Sequence, residues 1–135
     1  MDVRRKLLLS TAVLAVLQLI HLIDVLRYAP EAEFPGVLAD PLAIVGIGGA
    51  ALAFAAVAAH VRLANRLALV VGVAVAAGFT LYHGVPFDLG VNNPYWGDGA
   101  DSDLIRWLTV LAAIAAGIWT AVVAARAEQR VVSIA

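Results

Sequence analysis

The sequence predicts an all-α integral membrane protein, a four-helix transmembrane bundle with both termini cytoplasmic. Three observations carry that reading. First, hydrophobic residues make up 63% of the 135 residues, charged residues 14%, and mean hydropathy is +0.93. Soluble domains run near roughly 45–50% apolar and about 25% charged. Second, the apolar residues fall into four long runs. Each approaches the roughly 20 residues needed to cross ~30 Å of hydrocarbon. Third, the basic residues gather on one side of those runs. The runs are continuous rather than alternating, which argues against strands, and a membrane barrel needs about eight strands or more.

The first span is predicted over residues 7–28. The second covers 41–61, with Asp40 as N-cap and Pro41 at the first helical position. The third covers 67–85 and stops at Pro86. The fourth covers 104–125, with Asp101 or Ser102 capping its start. Outer loops are expected at 29–39 and 86–102, and a tight turn at 62–66. The longest loop reads PFDLGVNNPYWGDGADS, which is turn chemistry. The length allows one transmembrane domain spanning residues 1–135.

Charge sets the orientation. Arg4, Arg5, Lys6, Arg62, Arg66, Arg126 and Arg130 lie on one side, and Arg27 and Arg106 flank the other. The positive-inside rule places the larger group in the cytoplasm. Most acidic residues fall on the opposite side. Tyr28, Tyr82, Tyr95, Trp96 and Trp107 form an aromatic belt at the outer interface. The expected location is the cell membrane, the inner one of a bacterium. The alanine excess, and Arg in place of Lys except at Lys6, suit a high-GC genome. The first 20 residues resemble a signal peptide, with a basic start and an apolar stretch. The apolar run continues to Tyr28 without a small-x-small cleavage site, so it reads as an uncleaved first span.

Helices in lipid associate through small residues. Gly46 and Gly49 mark such a face on the second span. Gly72, Ala76, Thr80 and Gly84 mark one on the third, and Ala113 and Gly117 one on the fourth. These patterns fit helix packing within the chain, or between copies of it.

Ionisable groups inside the membrane are costly and invite a functional hypothesis. Gln18, His21, Asp24 and Tyr28 form one polar stripe along the first span. At 1.5 Å per residue, His21 lies about 9 Å below the outer edge of a ~30 Å core. His83 lies at a similar depth on the third span, beside Thr80. Spacing lets His21 touch Asp24, and His83 joins them if the two spans adjoin. Two histidines and a carboxylate suit a divalent transition metal such as zinc or copper. They equally suit a protonation site in a small transporter or a small-ligand site. Haem ligation by two histidines is weaker, since only the residue type supports it. Against all of these, the same groups serve as interhelical hydrogen bonds worth on the order of 0.6 kcal/mol each. Arg27 is spaced to pair with Asp24. His60 falls at the cytoplasmic edge among headgroups, and Arg106 and Trp107 read as interface anchors.

Several classes are excluded or disfavoured. There is no cysteine, hence no disulfide, thiolate metal site or Cys nucleophile. A net charge of −1 argues against nucleic acid. GDGADSD does not meet the EF-hand pattern, and its carboxylates suit the start of the fourth helix. NNPYWG is not a glycosylation site. No G-x-S-x-G, H-E-x-x-H or Walker loop occurs. The sequence therefore points to a non-enzymatic membrane protein whose outer polar site, His21, Asp24 and His83, takes a metal, a proton or a small ligand. An accessory subunit of a larger membrane complex or homo-oligomer is the second reading. A small metal- or haem-dependent membrane enzyme is the third.

Overall fold

The computed structural model describes residues 2–28, 36, 40–86 and 104–132, without the side chains of Tyr28 and residues 130–132. The predicted outer loops, except Gly36 and Pro86, and the caps proposed at Asp101 and Ser102 lie outside the described residues. So do Tyr95 and Trp96.

All regular structure among the described residues is helical. In chain order it comprises α1 (Val3–Tyr28), α2 (Pro41–Ala58), α3 (Ala64–Phe79) and α4 (Leu104–Val132). A π-helical turn, Thr80–Gly84, continues α3. All four helices are long and apolar enough to cross a membrane. α1 and α4 run beyond the expected spans because the charged residues flanking the apolar runs continue the helices. Asp2 begins α1 by accepting the Arg5 backbone N–H at 2.7 Å. Asp40 caps α2 the same way, accepting from Leu42 N–H at 2.8 Å, with Pro41 in the first turn.

α2 ends earlier than its apolar run, at Ala58. Val61 N–H donates to Ala56 O at 3.0 Å, and His60 N–H donates to Val57 O at 3.3 Å. This bond pair closes a helix in a Schellman turn. His60 occupies the left-handed position of that turn, at φ 58°. The α2–α3 connection is therefore residues 59–63 rather than 62–66. At the other end of α3, Val85 turns extended (φ −80°, ψ 125°). Pro86 follows it and disfavours helical backbone at the preceding residue.

Each helix packs on its two chain neighbours, with α4 closing back on α1. The α3–α4 seam is the most extensive, and the diagonal pair α1–α3 meets only slightly. The arrangement is an up-down four-helix bundle. Its interior is built from small residues, including Ala50, Ala53, Ala68, Ala113, Ala116 and Ala124. Large side chains face outward on every helix, among them Leu19, Ile23, Val45, Val70, Leu108 and Ile118. Lipid tails accept large apolar side chains outside, while close backbone approach needs small ones inside.

Two buried hydroxyls of α1 are satisfied within the helix. Ser10 Oγ donates to Leu7 O at 3.0 Å, and Thr11 Oγ1 to Leu7 O at 2.9 Å. Hydrocarbon offers no water to such hydroxyls, so the helix's own carbonyls supply the partner.

The core is not evenly distributed along the bundle. Every buried residue of α2 lies from Ala50 onward, and those of α3 lie between Ala64 and Val75. The packed half is thus the end carrying Arg4, Arg5, Lys6, Arg62 and Arg66. At that end Arg4 hydrogen-bonds the His60 ring, and Arg66 Nε donates to Glu128 Oε1 at 2.7 Å. His60 is exposed.

Candidate functional site

The other half of the bundle is hollow. No residue of α2 before Ala50 is buried, so α1, α2 and α3 enclose a cavity of about 480 Å³ there. Its walls are apolar, from Leu22 and Val25 on α1, Ile47 on α2, and Val71, Ala74 and Val75 on α3. Leu42, Val45 and Val70 also line it and are largely exposed. The cavity therefore opens sideways between α2 and α3, through a rim of apolar side chains.

Polar side chains reach it from three helices and from the α2 cap: Gln18, His21, His83, Arg106 and, at the mouth, Asp40. Gln18 is 4% exposed, and its Nε2 has no hydrogen-bond partner among the described residues. The same holds for His21 Nδ1. Gln18 lies against Gly46, where an added Cβ would stand 2.9 Å from its Oε1. Gly46 thus makes the room in which the amide sits. Gly49 faces the Val71 methyls.

His21 and His83 meet across the bundle diagonal, ring centroids 5.3 Å apart. Phe79 stands edge-on to His21 at 4.7 Å, and Tyr82 edge-on to His83 at 4.8 Å. Four rings thus bridge α1 and α3 where the backbones themselves hardly touch. The π-helical turn contributes to this. Its wider winding shifts the register of residues 80–84 relative to a straight α3, and His83 is buried.

Asp24 does not join the pair. Its carboxylate is buried, has no hydrogen-bond partner among the described residues, and lies 3.7 Å from Arg27. An i,i+3 guanidinium reaches it and His21 does not. Among the described residues, no three His, Asp or Glu side chains form a group able to hold a metal. Thr80 is exposed and donates to Ala76 O at 2.8 Å, so it stands outside the polar lining. The Tyr28 side chain lies outside the described residues. Gly72, Ala76 and Gly117 lie in the α3–α4 seam, away from the cavity.

Sequence reasoning missed Phe79 and Asp40 as members of the site, and expected Arg106 at its outer mouth rather than in its lining. Phe79 sits four residues before His83, a spacing that carried the signal. Arg106 is 8% exposed and lines the cavity, against the expectation of an interface anchor. Its place in the first turn of α4 hid its direction, because periodicity is weak at a helix end.

Comparison with family models, with curated proteins and with solved structures gives no match for this chain.

Proposed function

We propose that the chain is a small, non-enzymatic membrane protein that binds a membrane-soluble small molecule in this cavity, in a binding or transport role. The observation that carries the proposal is the pairing of an apolar, laterally open cavity with lining residues whose buried polar atoms are left unpaired. Gln18 and His21 line this space together with Arg106, and Gln18 Nε2 and His21 Nδ1 are buried with no hydrogen-bond partner among the described residues. In hydrocarbon, unsatisfied polar groups are costly. A ligand with an apolar body and an oxygen acceptor as its head, a carbonyl or a carboxylate, satisfies them. Ligand sites of this kind are mostly apolar with a few convergent polar groups.

The metal reading at His21, Asp24 and His83 has less support. Two imidazoles 5.3 Å apart suit two ligands of one ion, but structural and catalytic zinc sites use three or four protein ligands, and Asp24 is turned to Arg27. Haem has no support beyond the two rings. A homo-oligomer or a larger membrane complex is the second reading. Gly48, Ala51 and Ala55 face outward on α2 and provide a small-residue face for it. We place the basic end, with both termini, in the cytoplasm, and the cavity in the outer leaflet of the inner membrane, on the strength of the positive-inside rule.

The test uses the full chain purified in detergent. Decylbenzoquinone and dodecanoate serve as probes with a carbonyl and a carboxylate head. At least one is expected to raise the thermal unfolding midpoint of the wild-type protein. The effect is expected to vanish in Gln18→Leu and in the His21→Leu/His83→Leu double variant. Binding of neither probe, or equal binding by the variants, overturns the proposal.

A further inference from the structure

A second cavity, of about 310 Å³, lies at the basic end, between the start of α1 and the α2–α3 turn. Its polar lining is Arg4, His60 and Asn65, and its floor is apolar, with Leu7, Val57 and Val61. We propose that it binds the phosphate headgroup of an anionic membrane lipid, with the start of an acyl chain on the apolar floor. This is independent of the ligand proposed for the larger cavity.

Three observations lead there. The first is His60 itself. The Schellman turn that ends α2 needs a left-handed residue, and glycine fills that position at no steric cost. Here His60 fills it, at φ 58°. A strained backbone held by a non-glycine residue points to a use for the side chain. The second is where that side chain goes. The His60 ring meets the Arg4 guanidinium at the cavity. Two groups that both carry donors to an anion are thus brought together from different helices. Of the other cations at the turn, Arg62 is exposed and outside the cavity lining, and Arg66 is held by Glu128 at 2.7 Å. The third is the floor. A free phosphate gains nothing from Leu7 and Val57, whereas a glycerolipid places apolar chain beside its phosphate. Basic pockets between transmembrane helices at the membrane surface bind anionic headgroups in this way.

Native mass spectrometry of the full chain, with added phosphatidylglycerol or phosphatidylcholine of identical acyl chains, tests the proposal. The wild type is expected to retain one phosphatidylglycerol in clear preference to phosphatidylcholine. Arg4→Gln is expected to weaken that retention roughly fivefold, the effect of one cationic contact at a membrane surface. His60→Gly is expected to weaken it while raising the unfolding temperature, since it relieves the left-handed backbone. That pairing separates a binding loss from a folding loss. Arg126→Gln, at the same end on α4 and outside the cavity lining, is expected to retain the lipid as the wild type does. Equal retention of the two lipids, or phosphatidylglycerol retention unchanged in both cavity variants, overturns the proposal. So does inorganic phosphate that displaces the lipid, since the site would then be one for the free ion.

Discussion

Gly72 and Gly117 face each other across the α3–α4 seam with no room for a side chain on either. A Cβ on Gly72 would stand 2.7 Å from the Gly117 carbonyl oxygen, and one on Gly117 would stand 2.7 Å from the Gly72 carbonyl oxygen. The obstacle is backbone on both sides, so no side-chain rotation relieves it. Around this point the seam is closed by Ala76 and Ala121. The largest interface in the bundle is thus set by two missing side chains.

Gly72→Ala and Gly117→Ala are each expected to destabilise the bundle by about 1–3 kcal/mol, the usual cost of overpacking. Gly46→Ala meets only the movable end of Gln18, and Gly78→Ala meets nothing within 4 Å. Both are expected to leave stability nearly unchanged. Denaturant titration of the four variants in one detergent checks the contrast. An equal response from Gly78→Ala and Gly72→Ala would show that helix propensity, not contact, governs these positions.

Asp24 is a buried carboxylate whose ion pair with Arg27 is long and whose partner is 57% exposed. Solvent around the exposed guanidinium keeps such a pair to about 1 kcal/mol or less, below what burial of a carboxylate costs. Asp24→Asn is expected to raise the unfolding midpoint, and Arg27→Ala to lower it. In the double variant the Arg27→Ala loss should largely disappear. A double-mutant cycle by thermal unfolding reads the coupling directly.

No transition metal is expected to remain with the purified protein in stoichiometric amount after dialysis against a weak chelator. His21 and His83 alone offer two ligands, and Asp24 is directed elsewhere. Elemental analysis checks this. Retention of one ion per chain, lost in His83→Ala, would move the metal reading ahead of the small-molecule one.

Asp2 gives a pH-dependent start to α1. Its carboxylate accepts the Arg5 backbone N–H, which holds its carboxyl below the ordinary 3.8. A lowered value in the folded state means that the stabilisation is full above 3.8 and is lost as pH falls through the folded value. Amide exchange at Arg5 and Lys6 should therefore accelerate at low pH, beyond the intrinsic change. Asp2→Ala should show that fraying already at neutral pH, and Asp2→Asn, still a good cap, should not.

Much of this was legible in the sequence, and the gaps have physical causes. Four helices follow from continuous apolar runs, because hydrocarbon leaves a chain few other ways to satisfy its backbone. Asp40 and Pro41 marked the start of α2 for reasons that are entirely local. The common depth of His21 and His83 followed from counting residues along two parallel helices. Counting gave no access to rotation about a helix axis. Three-residue spacing permitted both His21 and Arg27 as partners of Asp24, and only packing chose Arg27. Arg106 turned inward although its position in the first turn of α4 suited a headgroup equally well. The π-helical turn at Thr80–Gly84 has no sequence marker except the Pro86 that follows. The early stop of α2 was hidden too, since a histidine in a left-handed position breaks no hydrophobic pattern.

The uneven core has a consequence along the membrane normal. The helices are held from their middle to the basic end by alanine and glycine contacts, and beyond that α1 and α3 meet through four rings. The tightest helix contacts and the larger cavity thus involve different residues. The rim residues Leu42, Val45 and Val70 can change in size, and with them the guests admitted, without disturbing the clamp at Gly72 and Gly117. Such a molecule works as a pair of tongs whose hinge and jaws are free to diverge under separate selection.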